Sequence, residues 1–521
     1  MRSGQDGVGH HAGRNERGAA RTGVVIATVL LMLVGAVAGI GIWRQDDVRD
    51  WYDARTWPWD DAPVAGPVDV APPPQVDVEP APTLDEVDPV AAPSDTATGL
   101  SVQAVRRAIA RRLGVRALGP HVVTAVAAVD GGGPPVSIGR GTAVPASTTK
   151  IVTAAAALLA LGPETRFSTR VVAADPVGTR DGAPDVAGAP SIVLVGGGDP
   201  FLERTPFQPG AADGSANGPA WPYPVRADLQ TLAATTASAL AADGVRRVRV
   251  RYDTTLFAGP SISPAWESGY VPDGVVSPVS SLWVDGGRPP SRSGRVADAP
   301  LDAAQSFAAS LRAAGVRVVG AVEEQPAPLD AATISSVESA PLGQIVERVL
   351  DVSDNEGAEV LLRHVGLAEA GRGTFAAGRR AVRDLLTEAG VHWGRSVFHD
   401  GSGLARTNAV EPRTLLDVLR LAASDDEPDL RSVITGLPVA GFTGSLAYRM
   451  TEGPPAGLGR VRAKTGTLTN VTALAGVATT PDGAVLVFAM LADRVRVEDT
   501  LTARAAMDGA AAALGACRCA G

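Results

Sequence analysis

Residues 24–43, VVIATVLLMLVGAVAGIGIW, form a run of about twenty apolar positions without a charge, long enough to cross a bilayer as a helix. That run divides the chain. Arg2, Arg14, Arg17 and Arg21 precede it, Trp43 closes it, and Asp46 and Asp47 follow. Basic residues stay on the cytoplasmic side, so residues 1–23 are expected to be a cytoplasmic tail, with everything after residue 44 outside. Ala36-Val37-Ala38 offers a signal-peptidase site, but the residues around it stay apolar. The expectation is an extracytoplasmic protein anchored by one N-terminal helix, or secreted if that segment is a cleaved signal.

Residues 44–98, with stretches such as DVAPPPQVDVEPAPTLDEVDP, are too poor in apolar surface to order themselves. Their prolines favour an extended polyproline spacer. From residue 99 the chain reads as globular, and 45% apolar against 20% charged residues is enough for a core. The net charge is −9 and no basic block lies beyond the first twenty-odd residues, so nothing points to nucleic acid and no nucleic-acid partner is expected. The two cysteines, Cys517 and Cys519, sit in a tail ACRCAG with no zinc-type spacing. A ring across one residue is strained, so unpaired or intermolecularly paired thiols are expected.

Periodicity supplies a coarse map. RRAIARRLGV reads as a helix start, HVVTAVAAVD (121–130) as a strand, and TALAGVATT–PDG–AVLVFAMLAD as a hairpin before a terminal helix, TLTARAAMDGAAAALG. Between 168 and 330, strands such as PSIVLVGGG and VRRVRVRYD mix with Gly/Pro-rich loops and a helix ADLQTLAATTASALAADG, the texture of an inserted α+β module. TISSVESA, after 331, is assigned as a strand of the flanking domain.

The chain holds 47 basic residues, of which only Lys150 and Lys464 are lysine. Arginine keeps its proton in essentially any protein environment, whereas an ammonium can be made to lose one. Pro145 and Gly162-Pro163 bracket a helical run in which Ser147 and Lys150 share a face one turn apart. A neutral Lys150 amine can take the Ser147 proton. Ser353-Asp354-Asn355 places a hydroxyl and an amide two residues apart, suited to proton relay and to holding a substrate amide. Lys464-Thr465-Gly466-Thr467 enters a strand whose glycine permits close approach of a backbone or ligand. Each motif alone is weak. In the order S-x-x-K, S-D-N, K-T-G they are the signature of penicillin-binding proteins and class A β-lactamases, and both lysines fall inside it.

Ser147 and Ser353 are 206 positions apart, a gap that fits a large insert. GGGDP (196–200), HDGSGLARTN (399–408) and GFTGSLAYR (441–449) add to the pattern. Over roughly residues 100–515 the chain resembles the class C penicillin-binding proteins, the D-alanyl-D-alanine carboxypeptidase/endopeptidase group. It departs from them at Ala405, where serine is expected after GSGL.

The resemblance implies an α/β fold: a transpeptidase/β-lactamase-like domain (99–167 and 331–521), an antiparallel sheet flanked by helices, interrupted by the α+β insert (168–330). It implies a D-Ala-D-Ala carboxypeptidase acting on peptidoglycan stem peptides through a serine acyl-enzyme, also open to endopeptidase action, and acylated by β-lactam antibiotics. Carried over, Ser147 is the nucleophile, Lys150 its base, and Ser353 a relay to the leaving group. Asn355 holds the substrate amide, Lys464 supplies positive field that depresses the Lys150 pKa, and Thr465 binds the terminal carboxylate. Gly466 belongs to the same substrate-binding strand. The N–H groups of Ser147 and Thr467 form the oxyanion hole. No metal or cofactor is implied. A β-lactamase or esterase on this scaffold, or a degenerate wall-binding protein, are the alternatives. Against the first, no glutamate between 355 and 464 is followed by asparagine at +4, as a deacylating E-x-x-x-N requires.

Overall fold

The computed structural model describes residues 100–131, 133–174, 189–207, 223–291, 294–451 and 457–519. The apolar run 24–43 and the proline-rich segment lie outside these residues. Among the described residues no helix is long and apolar enough to cross a membrane.

The chain begins with α1 (Val102–Leu113), capped by Ser101, whose hydroxyl accepts from the Ala104 N–H at 3.3 Å. Then come β1 (Val122–Ala128), β2 (Val136–Ile138) and α2 (Thr149–Leu161), the lysine-bearing helix. The insert contributes β3 (Ser168–Ala173), β4 (Ser191–Val195), α3 (Leu229–Ala242), β5 (Arg247–Asp253), α4 (Ala299–Ala313), β6 (Arg317–Val318) and β7 (Glu323–Glu324), with β8 (Thr333–Glu338) after them. Helices α5 (Leu342–Asp351), α6 (Asn355–Ala370), α7 (Phe375–Glu388), α8 (Pro412–Ala423) and the short α9 (Arg431–Thr435) follow. The expected hairpin, β10 (Val471–Thr479) and β11 (Val485–Ala492), is preceded by the K-T-G strand β9 (Val461–Leu468), and α10 (Thr500–Gly515) ends the fold.

Two sheets result. The first is antiparallel with order β2-β1-β11-β10-β9, so distant halves of the sequence meet in register, Thr124 opposite Met490. Successive side chains on a strand point to opposite faces, and here both faces are covered. Val487, Ala489 and Leu491 face the core shared with α2 and α5 to α8, while Leu486, Phe488 and Met490 face α1 and α10. Each fully buried Val, Leu or Phe of these layers contributes about 1.5–3 kcal/mol. The β9 strand is left at the edge.

The second sheet has the path β6-β5-β4-β3-β8, with β7 beside β5. β4, β5 and β6 run parallel because α3 and α4 return the chain between them, and β3 pairs antiparallel with β4 and β8. β8, the segment TISSVESA, was expected in the flanking domain. It instead completes the insert's sheet, since its backbone partners are Ser168–Val172. Cys517 and Cys519 are also not free thiols. They are joined in a disulfide, and their Cα separation of 5.2 Å lies within the normal span of such a bond.

Candidate active site

The helix expected from Pro145 starts later than the sequence indicates. Ala146 takes a left-handed φ of 46°, and Ala146–Thr148 form a tight 3-10 turn before α2 begins at Thr149. The Thr148 and Thr149 hydroxyls donate back to the Pro145 and Ala146 carbonyls at 2.8 and 2.9 Å, tying the turn to the helix. Ser147 is thereby lifted at the helix entrance and is half-buried, while Pro145, Ala146 and residues 148–150 are buried. The turn remains short enough that Lys150 Nζ lies 3.1 Å from Ser147 Oγ.

Lys150 is fully buried and has two further acceptors, Asn355 Oδ1 at 2.8 Å and the Ser402 carbonyl at 2.7 Å. A neutral amine has two N–H bonds and one lone pair. With the two shorter contacts taking the N–H bonds, the lone pair is left for the Ser147 hydroxyl. Burial lowers the Lys150 pKa from 10.5 to about 8, against the opposing charges of Asp400, Glu359, Asp354 and Glu356.

Asn355 owes its place to its neighbour. Ser353 sits between α5 and α6 with a left-handed φ of 62°, and Asp354 caps α6 by accepting from Gly357 N–H at 2.7 Å. Of S-D-N, then, the aspartate is a helix cap and the asparagine reaches the amine.

The Ser402 carbonyl is presented by the loop HDGSGLARTN. Buried Glu359, on α6, accepts the Ser402 N–H at 2.7 Å and the Gly401 N–H at 3.0 Å. Asp400 Oδ1 accepts from Gly403 N–H at 3.1 Å and Asn408 Nδ2 at 2.7 Å, and its Oδ2 accepts from Ala405 N–H at 2.7 Å. Ala405 thus engages this network through its backbone, and its fully buried methyl group shows how the loop closes without the expected serine. Gly403 has φ 87° and lies so close to the nucleophile turn that a Cβ there would come 1.9 Å from the Ala146 carbonyl oxygen.

The K-T-G strand faces the same turn. A Cβ on Gly466 would meet the Pro145 carbonyl oxygen at 2.6 Å, so the close approach anticipated at this glycine is to backbone. Thr465 Oγ1 donates to Ser445 Oγ at 2.9 Å, linking the strand to GFTGSLAYR. Thr467 is exposed at the sheet edge. Lys464 is fully buried, and its Nζ donates to the Thr465 carbonyl at 3.2 Å. Its pKa is held well below 10.5, first by burial and then by the charge of Lys150, with Asp351 opposing. Burial is thus the main cause of the Lys150 shift, and the mutual repulsion of the two ammonium groups adds to the burial of Lys464. Ser147, Lys150 and Asn355 form one hydrogen-bonded group, and Gly466 abuts its turn. Ser353 and Lys464 flank the group without a direct bond to Ser147.

Glu359, Asp400, Ser402 and Ser445 were not singled out from the sequence. Asp400, Ser402 and Ser445 lie inside quoted motifs, but their partners come from elements far along the chain, which no local pattern reveals.

A serine hydroxyl facing a dehydrated amine, on an antiparallel sheet flanked by helices, defines a serine-active hydrolase of the acyl-transfer kind. The chain belongs to the D-Ala-D-Ala carboxypeptidase 3 (S13) family, whose model matches residues 138–292 and 287–514. It is 36% identical over 383 residues to a carboxypeptidase of Mycobacterium tuberculosis, covering 72% of this chain and 76% of the relative. It is 30% identical over 420 residues to the D-alanyl-D-alanine carboxypeptidase of an Actinomadura species, covering 65% and 71%. In structure it is similar to penicillin binding protein 4 of Haemophilus influenzae, with a TM-score of 0.58 at 19% identity over 78% of this chain and 98% of that one. The family resemblance and the α/β fold drawn from the three motifs stand.

Proposed function

We propose that this chain is a serine D-Ala-D-Ala carboxypeptidase of the cell wall in which Ser147 attacks and Lys150 is the base. The observation that carries this reading is the 3.1 Å contact between Lys150 Nζ and Ser147 Oγ, with the amine fully buried. The substrate is a peptidoglycan stem peptide ending in D-Ala-D-Ala. The Lys150 lone pair takes the Ser147 proton as Oγ bonds to the carbonyl carbon of the penultimate D-alanine. The developing oxyanion is received by the N–H groups of Ser147 and Thr467, and such preorganised donors are the largest single contribution in acyl transfer. Collapse breaks the C–N bond, and the proton passes by way of Ser353 to the departing D-alanine amine. Water then hydrolyses the ester, with the same amine as base.

Asn355 orients both the amine and the incoming amide, and Thr465 receives the terminal carboxylate. Lys464, whose charged form burial disfavours in the free protein, is stabilised as a cation when that carboxylate arrives. A cross-link joins the same D-alanyl carbonyl to a side-chain amine, so endopeptidase action needs no new chemistry. A β-lactam acylates Ser147 likewise. Residues 24–43 hold the enzyme to the membrane, and 44–98 space it toward the wall; their composition supports this.

The test is Ser147→Ala in the full chain, assayed for D-alanine release from a D-Ala-D-Ala pentapeptide and for labelling by a fluorescent penicillin. Both are expected to vanish while the circular dichroism spectrum is kept. Retained labelling at another serine overturns the assignment.

A further inference from the structure

Two of the three oxygens around Lys150 Nζ are themselves held by the inserted module. On one side, Asn355 Nδ2 donates to the Val275 carbonyl at 3.1 Å, which turns Oδ1 toward the amine. The adjoining Glu356 is buried, and its Oε1 accepts from Ser277 N–H at 3.2 Å and from Arg295 Nε and Nη2 at 3.2 and 2.6 Å. Ser277 Oγ closes the same loop by donating to the Gly286 carbonyl at 2.8 Å. A buried ion pair with several hydrogen bonds on one carboxylate fixes geometry strongly, because losing a partner strands a charge.

On the other side, buried Trp266 donates from Nε1 to Asp400 Oδ2 at 2.9 Å, and Tyr270 donates from its hydroxyl to the Leu404 carbonyl at 3.3 Å. These are the loop residues that frame Ser402, whose carbonyl receives Lys150. Val275, Ser277, Arg295, Trp266 and Tyr270 all belong to the segment assigned to the insert.

We infer that residues 263–291 and 294–296 of the insert are a positioning element of the acylation site. Through Val275 and Arg295 on one side and Trp266 on the other, they fix the two acceptors that direct the Lys150 lone pair at Ser147. The insert is therefore a working part of the site. Trp266, Arg295 and Glu356 act through the residues they bond or adjoin, and are positioning residues. This role rests on the assignment of Ser147 and Lys150 made above.

The experiment uses the purified full chain with a fluorescent penicillin in excess, separating the initial binding constant K from the acylation rate constant k2. Variants are Trp266→Phe, which keeps an aromatic ring but loses the indole N–H with its five-membered ring, Arg295→Met and Arg295→Lys. Arg312→Ala, on the exposed face of α4, is the control and is expected to behave as wild type. In Trp266→Phe and Arg295→Met, k2 is expected to fall about tenfold or more, because small misplacements of reacting groups carry large rate losses. K should stay near the wild-type value, and Arg295→Lys should recover part of k2. Measurements are made at a temperature where each variant is folded by circular dichroism, and Trp266→Phe, which strands no buried charge, covers the case in which Arg295→Met does not fold. Unchanged k2 in folded variants, or K and k2 worsening together, overturns the positioning role. Peptide mapping of the wild-type adduct separates the two levels: labelling away from Ser147 removes the functional assignment, whereas labelling at Ser147 with unchanged k2 in the variants removes only the role of the insert.

Discussion

The pH dependence of acylation follows from the burial of one amine. Lys150 acts as a base only when neutral, and its pKa is lowered from 10.5 to about 8, chiefly by loss of water. At pH 7 about a tenth of the molecules then carry a neutral amine, against about one in three thousand for an ordinary lysine. The second-order rate constant for penicillin acylation should climb about tenfold between pH 6 and 7 and about fivefold more to pH 8, levelling off by about pH 9. Glu359 titrates nearby, its carboxyl pushed up to about 8 by burial and by the charge of Asp400. The limb thus belongs to the coupled set of Lys150 and Glu359. Stopped-flow mixing with a fluorescent penicillin across this range gives the profile directly. A rate flat from pH 6 to 9, or one still rising tenfold per unit above pH 9, would refute the claim that burial prepares the base.

Further outcomes follow from the same contacts. Lys150→Arg keeps a charge but forbids a neutral base, so acylation should fall by about 10²–10⁴-fold, read by the same stopped-flow assay. Lys464→Arg should act more on peptide binding than on acylation. Its berth is fully buried, so overpacking of about 1–3 kcal/mol should also lower the Tm. Asp199, in the GGGDP motif, is pushed by burial from 3.8 to about 7. Its folded pKa lies above its unfolded one, so the native state binds the extra proton and stability is lost as pH rises from about 4 to about 7. Asp199→Asn retains an acceptor for the Phe201 N–H and should raise the unfolding free energy near pH 8 by up to about 4 kcal/mol, with little gain near pH 4. Urea titrations at the two pH values check this.

Much of the fold was legible because its signals are local. Short apolar runs on either side of the PDG turn marked the β10–β11 hairpin, and the Ser147–Lys150 spacing anticipated a contact that survives a change in the turn's geometry. What stayed hidden is set by long-range packing. Nothing local in TISSVESA says whether it joins the first sheet or pairs with β3, since a short strand with partly buried faces suits either edge. The delayed helix start depends on Ala146 taking a left-handed φ, which the neighbouring Gly403 loop and β9 impose from positions far away in sequence. The carboxylates of Glu359 and Asp400 would read as surface charges in any local window, yet each is buried to hold the loop that meets Lys150. The reach of the insert to Asn355 is of the same kind, because Val275 contributes only its backbone.

The central claim is that Ser147 carries the acyl group, and intact-mass spectrometry after a brief penicillin pulse tests it most directly. A natural D-alanyl ester releases its leaving D-alanine and admits water, whereas a β-lactam's leaving amine stays tethered and blocks that approach. With no E-x-x-x-N glutamate between 355 and 464 to position a water, the full chain should gain one penicilloyl group within the pulse. That mass should persist for minutes or longer after free drug is removed and should map to the peptide VPASTTK at Ser147. An adduct on another serine, or a rapid return to the unmodified mass with penicilloate accumulating, would contradict the account.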